Sequence, residues 1–408
     1  MRLGFIVNYR NNNSAIIRNG QCIKPALRQE IRDLSKEDYN RLVYAINKLH
    51  ERKPNERYTK FEKMVRLHVS YYDIAHGVPA FLPWHRYYIR LFELELQKID
   101  QNIVLPYWDW SHDARHPENS PVLTDYYMGG QGDKRQDYCV KSGPFKNWMT
   151  LVDYPHCLSR RYDEGEVCSP FPNPEEVLFL TNMNLFSDFS YELEMAHGSP
   201  HTAIGSDPGD FGISISPNDP LFYLHHAFVD LIYDLWLKKR NLYNFKYEGF
   251  AFNNFRVSVN DLLKPFNRNV YSTFNSKTNF FCYEYAEYPR RLQPNNEVYP
   301  IKKEESRAIK LPRNKFTNPA LSELGLLDVN SVLKILQSKA VNNTHNSNGA
   351  GRSSSIFNSE KLKPRKPLPE RWLKQNKFDS NKVRQIENRN EQLIDAFNNL
   401  PVYVPLAE

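Results

Sequence analysis

A chain of 408 residues with 40% hydrophobic and 13% aromatic side chains can bury a large core in one or two domains. Its net charge of +7 is not gathered into a compact basic stripe with interleaved aromatics before residue 300, which argues against nucleic-acid binding. No run approaches about 18 consecutive apolar residues, so no transmembrane helix is expected.

Residues 1–24 are polar and irregular and read as an N-terminal extension. From Lys24 to Leu49 the pattern is helical. Ser35 is a candidate cap with Asp38 three residues on, and Leu42, Ala45, Ile46 and Leu49 make the apolar face. A charged linker containing Pro54 leads to a second helix over about 58–72, on which Phe61, Val65, His68 and Tyr72 share one stripe. His76 follows in a loop stiffened by Gly77, Pro79 and Pro83. A third helix then runs from about Trp84 to Gln97. Helical steps from His85 reach Ile89, Phe92, Leu96 and Ile99, the rhythm of a buried face. A lone inward histidine is usually a satisfied core residue. His68, His76 and His85 fall within eighteen residues, each at a buried-looking position, and together point to a metal.

The aromatic segment Leu105–Trp110, ending Asp109-Trp110, reads as packing, and His112 and His116 as surface loop. Residues 111–175 form a long loop region holding Cys139, Cys157 and Cys168, a stretch expected to be tied by a disulfide. The five cysteines include no CxxC pair, which excludes a zinc knuckle and a thioredoxin-type site. The expected location is therefore secreted or in the secretory-pathway lumen. The sequons Asn12-Asn13-Ser14 and Asn342-Asn343-Thr344 agree with it. MRLGFIVN is too short for a full signal peptide, so the natural start is expected upstream.

Helical pattern resumes over Glu175–Leu180 and Asp188–Ala196. Phe189, Leu193 and His197 are spaced by four, and His201 lies four beyond. Histidines at that spacing share a helix face and suit one metal ion. Pro200 lies between them, and an interior proline costs about 3 kcal/mol. The helix is therefore expected to end near Gly198 and restart with Ser199 as cap. Asp219 caps, and Pro220 opens, a helix reading LFYLHHAFVDLIYDLWLKKR, apolar almost all round and hence buried. His225 and His226 differ by about 100° around its axis, and periodicity does not choose between them. Residues 241–286 read as aromatic and strand-like. From residue 291 to 408 the chain reads as a polar, partly disordered tail, least ordered over 339–365. His345 has no role there, and Leu393, Phe397 and Leu400 suggest a short helix.

Grouped, the inward histidines make two triads: His68, His76 and His85, then His197, His201 and one of the adjacent pair. Neutral imidazoles without carboxylate or thiolate suit copper or zinc, and three ligands with an open position suit a reactive site. Two such sites face to face hold a small molecule between two metals.

The residues that carry a resemblance are His76 with Phe81-Leu-Pro-Trp-His85-Arg86, Pro106-Tyr-Trp-Asp-Trp110, His197-x-x-x-His201 and Asn218-Asp-Pro-Leu-Phe-Tyr-Leu-His-His-Ala-Phe-Val-Asp230. With Tyr283-x-Tyr285 they resemble the type-3 copper family of tyrosinases, catechol oxidases and molluscan hemocyanins, over roughly residues 25–290. The resemblance implies a mainly α fold. It is a four-helix bundle with long loops and a few short strands, holding two copper ions. It implies His68, His76 and His85 on one copper and His197, His201 and His226 on the other, with His225 supporting the ligands or packing. It also implies that Glu194 orients a water and that Asp230 orients neighbouring groups. The implied activity is oxidation of phenols or catechols to o-quinones by dioxygen, for pigment or protein crosslinking. An oxygen carrier like hemocyanin and a zinc-loaded, tautomerase-like relative are the alternatives. Three positions depart from the family pattern. Ile74 stands where many members have a cysteine joined to the second histidine, Gly198 where many tyrosinases have Asn, and Pro200 lies inside the second motif.

Overall fold

A computed structural model of the chain describes residues 13–288 and 361–398. Asn12, the sequon at Asn342 and His345 lie outside the described residues. The N-terminal stretch forms a hairpin of β1 (Ile16–Arg18) and β2 (Gln21–Lys24), and β3 (Ala26–Arg28) follows. Helix therefore starts later than the pattern from Lys24 suggests. Ser35 caps α1 (Lys36–His50) by accepting the Asp38 amide N–H. A capping box of Thr59 and Glu62 opens α2 (Lys60–Ser70), and the short α3 (Tyr72–Ala75) leads into the His76 loop. Then comes α4 (Phe81–Gln97).

The loop region after α4 carries β4 (Met149–Thr150) and β5 (His156–Cys157), paired antiparallel. It is stapled by the expected disulfide, Cys139–Cys157, leaving Cys168 as a buried thiol. Helices α5 (Pro174–Asn182), α6 (Phe186–Ile204) and α7 (Leu221–Lys239) complete the bundle. Helices α4 and α7 pack together, α6 touches α4, and α2 joins through Phe61 against Phe92 and through the Tyr88 hydroxyl on the Met64 carbonyl. The expected break at Pro200 does not occur, because α6 runs unbroken through it. Nearly every residue of α6 is buried, so neighbouring packing outweighs one missing N–H, and the Thr202 hydroxyl donates to the Gly198 carbonyl at 3.0 Å. Residues 241–286 are mostly turns with the short pairs β6 (Leu262–Leu263) and β7 (Arg268–Asn269), not extended sheet. Aromatics there fill space between loops, as Phe245 does against Trp236 and Phe274.

The chain then returns to its beginning. β8 (Tyr283–Tyr285) pairs in parallel with β3, and Cys282 is bonded to Cys22. Behind this seam lies a buried charge network. Arg28 meets Glu93 at 2.6 Å, Arg90 meets Glu93 at 2.7 Å, and Arg86 meets Asp230 at 2.5 Å. Tyr283 and Tyr285 both donate to the Asp230 carboxylate, at 2.5 and 2.6 Å. Removing one partner of such a set leaves a buried charge and costs about 3–5 kcal/mol.

The polar tail also contributes structure: α8 (Glu370–Gln375) and α9 (Ser380–Asn398) lie against α6. Leu368, Trp372, Leu373, Phe378, Val383 and Ile386 form a small core with Met195 of α6. The segment bearing Leu393 and Phe397 is helical, and Leu400 is outside the described residues.

Candidate metal centre

Helix α2 delivers His68, the rigid loop His76, and α4 His85; all three are buried and their ring nitrogens converge. Each Nδ1 faces a backbone carbonyl: Ser214 for His68 at 2.8 Å, Tyr72 for His76 at 3.1 Å, Phe81 for His85 at 2.9 Å. A carbonyl only accepts, so each Nδ1 carries the proton and each Nε2 is left with a lone pair. His68 and His85 point those nitrogens at one another, 3.5 Å apart. Two lone pairs held that way call for a cation between them.

Helices α6 and α7 deliver the second group, His197, His201, His225 and His226, all buried. The i, i+4 pair shares one face of the continuous α6, so simple helical geometry brings both histidines together. His197 donates its Nδ1 proton to the Glu194 carbonyl and His201 to that of Phe211. Neither nitrogen of His225 or of His226 has a hydrogen-bond partner among the described residues. The two differ in what they face. The His226 ring stacks on His85 of the first group at 4.4 Å, whereas His225 lies toward His201, Phe211 and Trp110. Phe81 and Phe222 each touch rings of both groups.

Burial pushes all seven histidines below the ordinary range, reinforced by neighbouring imidazoles for all but His201: His68 to about 3, His201 to about 4, the others well below. They are neutral at any physiological pH. A buried chamber of neutral imidazoles with inward lone pairs, and no thiolate among the described residues, fits copper.

Residues 56–239 match the common central domain of tyrosinase. Grixazone synthase of Streptomyces griseus is 30% identical over 256 residues, which is 50% of this chain and 81% of that protein. The chain belongs to the tyrosinase family. A putative tyrosinase-like protein of Caenorhabditis elegans, tyr-3, is 29% identical over 243 residues, covering 56% of this chain but 33% of the nematode protein. A point-mutant form of a polyphenol oxidase of Thermothelomyces thermophila superposes with a TM-score of 0.52 at 20% identity, over 64% of this chain and 88% of that one, and shares the fold. The tyrosinase family is a class of binuclear copper oxidoreductases, and its chemistry here is copper-dependent oxidation of phenols or catechols.

The tyrosinase-type centre has neighbours that spacing alone did not reveal. Glu194 is buried and accepts the Gly77 amide N–H at 2.8 Å, linking α6 to the His76 loop; burial raises its carboxyl well above the usual range. The Asp230 carboxylate anchors Arg86, next to His85, and both tyrosines of β8. Ile74, which offers no sulfur to bond His76, lies just before the loop. His76 is held instead by stacking of Tyr72 at 4.1 Å and by the Tyr72 carbonyl. His112 lies 3.4 Å from Asp109 and is mostly buried rather than on the surface, and His116 is half-exposed near Glu118; neither belongs to the two groups.

The C-terminal helices cover this centre. The Trp372 indole lies over Gly198 so closely that a Cβ there would meet it at 2.6 Å, and its ring is 6.1 Å from that of His197. Asn376 accepts the Tyr72 hydroxyl at 2.8 Å, and its backbone carbonyl crowds the place where a Gly77 Cβ would stand. Gly77, at φ +66°, serves both the left-handed turn and this contact. Five cations of the segment meet carboxylates of the bundle region: Arg365 with Glu176, Lys366 with Glu164, Arg371 with Asp207, Lys377 with Asp73 and Arg389 with Glu192. A lone tryptophan beside leucine, Trp372-Leu373 in a polar tail, was the available sign that this segment docks.

Proposed function

We propose that the chain oxidises catechols to o-quinones in preference to hydroxylating monophenols. His68, His76 and His85 hold one copper, and His197, His201 and His226 hold the other. The preference rests on residue 198: Gly198, beside His197, offers no side chain to assist proton removal from a monophenol. His226 is preferred over His225 because its ring faces the first group. Bound copper supplies dioxygen binding and the two-electron oxidation of the ring. The chain's own residues do the positioning. Backbone carbonyls fix five imidazole tautomers, and Phe81 and Phe222 keep the space between the groups apolar. Glu194, tied to Gly77, holds a water at the edge. In this reading α8 and α9 form a lid, and Trp372 must leave Gly198 before a ring enters. The disulfides Cys22–Cys282 and Cys139–Cys157 support a secreted setting, with the quinones used for pigment or crosslinking.

Copper counting on the full chain, oxygen-dependent charge-transfer absorption, and turnover of catechol and of tyrosine test the reading. Two coppers and catechol turnover well above tyrosine turnover are expected; bound zinc, or equal turnover, defeats it. Trp372→Ala is expected to raise kcat/KM for catechol by about tenfold, equivalent to about 1.4 kcal/mol of lost cover. Gly198→Asn on its own drives a side chain into the indole, so its effect on tyrosine is read in the Trp372→Ala background.

A further inference from the structure

The segment between α6 and α7 touches both metal groups. Its Phe211 carbonyl accepts from His201 at 2.5 Å and its Ser214 carbonyl from His68 at 2.8 Å. Phe211 lies within one short 3-10 turn, Asp210–Gly212, and Ser214 lies between that turn and a second, Ser216–Asn218. One buried side chain ties the turns together: Asp210 accepts from the Asn218 amide at 2.6 Å, while its own N–H donates to the Ser159 carbonyl at 2.9 Å. The remaining Asp210 oxygen meets His156 Nε2 at 3.1 Å. His156 belongs to β5, beside the stapled Cys157, and its Nδ1 faces the Tyr154 carbonyl at 2.7 Å. Both nitrogens thus face oxygens that accept, the setting of a doubly protonated ring.

We infer that His156 is a positioning residue for both copper sites, acting through Asp210 to hold the segment whose carbonyls orient His201 and His68. It rests on the copper reading above. The groups facing His156 are Asp210, Asp153 and the stacked Tyr154; behind Asp210 lies Asp219, paired to Arg160 at 2.6 Å. Burial lowers the His156 pKa, but the bond to Asp210 and its charge outweigh that, leaving it above the ordinary value. A raised histidine pKa stabilises below the unfolded value and loses that contribution as pH climbs through the folded value. The brace therefore weakens on the alkaline side of about 6.5.

The test loads the full chain with copper and follows its release to a chelator across pH, alongside thermal unfolding of the copper-free chain. His156→Ala is expected to release copper about tenfold faster from both sites near neutral pH, the scale of a lost outer-sphere partner. His156→Gln, which still donates to Asp210 but does not titrate, is expected to hold copper as the unsubstituted chain does near neutrality and to lose the alkaline acceleration. Unaltered release from His156→Ala overturns the inference. So does an alkaline acceleration that persists in His156→Gln, which decides the matter if His156→Ala fails to fold. An unsubstituted chain that takes up no copper instead defeats the reading on which the inference stands.

Discussion

The two histidine groups solve one problem by different means. In the first, all three rings donate to backbone carbonyls, but one of them, His76, sits on a loop and needs outside support. That support comes from Tyr72, whose ring stacks on His76 and whose hydroxyl reaches Asn376 of the lid. In the second group every ring rises from a helix, so the backbone is firm, yet His225 and His226 have no hydrogen-bond partner among the described residues. The first group is thus oriented by hydrogen bonds and made vulnerable by its backbone. The second has the rigid backbone, and His226 depends on an ion to satisfy a ring nitrogen. A buried polar atom left without a partner costs about 1–3 kcal/mol, which metal binding recovers.

That contrast can be broken most severely at the helix α7 pair. His226→Ala is expected to halve bound copper and abolish oxidation, whereas His225→Ala retains two coppers; metal counting of both variants decides, and the reverse pattern reassigns the ligand. Next in size is the acid response of the copper-free chain. Histidines with depressed folded pKa values bind fewer protons than they do unfolded, so stability rises with pH across that window. Denaturant unfolding of the apo chain is expected to lose stability of order several kcal/mol between about pH 6.5 and pH 4, and a flat profile over that range would overturn the burial argument. The smallest effect sharpens the difference between loop and helix. Tyr72→Phe removes the bond to Asn376 but keeps the stacking, and a lost hydrogen bond is worth about 1 kcal/mol. It is expected to speed release of one copper a few-fold and leave the other unchanged; equal release from both sites would show that His76 takes no support from the lid.

Much of the centre was legible because helices advertise their buried faces. His68 and His85 lie on apolar stripes, and His197 and His201 keep their four-residue spacing. Caps were readable for the same reason, since Ser35 and its partner Asp38 are neighbours in sequence. Long-range partners were not. The Ser214 and Phe211 carbonyls lie 146 and 10 residues from the rings they orient, and a carbonyl carries no residue-type signal. Pro200 misled because local propensity counts a missing N–H and does not see that α6 is packed on nearly every side. The tail misled in the other direction: its mean composition is polar, while six scattered apolar residues suffice to dock it on α6.

The seam between Cys22 and Cys282 makes the copper domain a covalent ring. A protease that cuts any loop inside that ring leaves the two fragments as one molecule until the bond is reduced. The lid helices lie beyond residue 282, outside the ring. A single cut ahead of residue 362 leaves them held only by non-covalent contacts, among them ion pairs, the Tyr72–Asn376 hydrogen bond and the Trp372 cluster. Digestion therefore sorts the molecule by topology. Nicks in the domain are silent on a non-reducing gel, and the nick that frees the lid is the one that changes the mass.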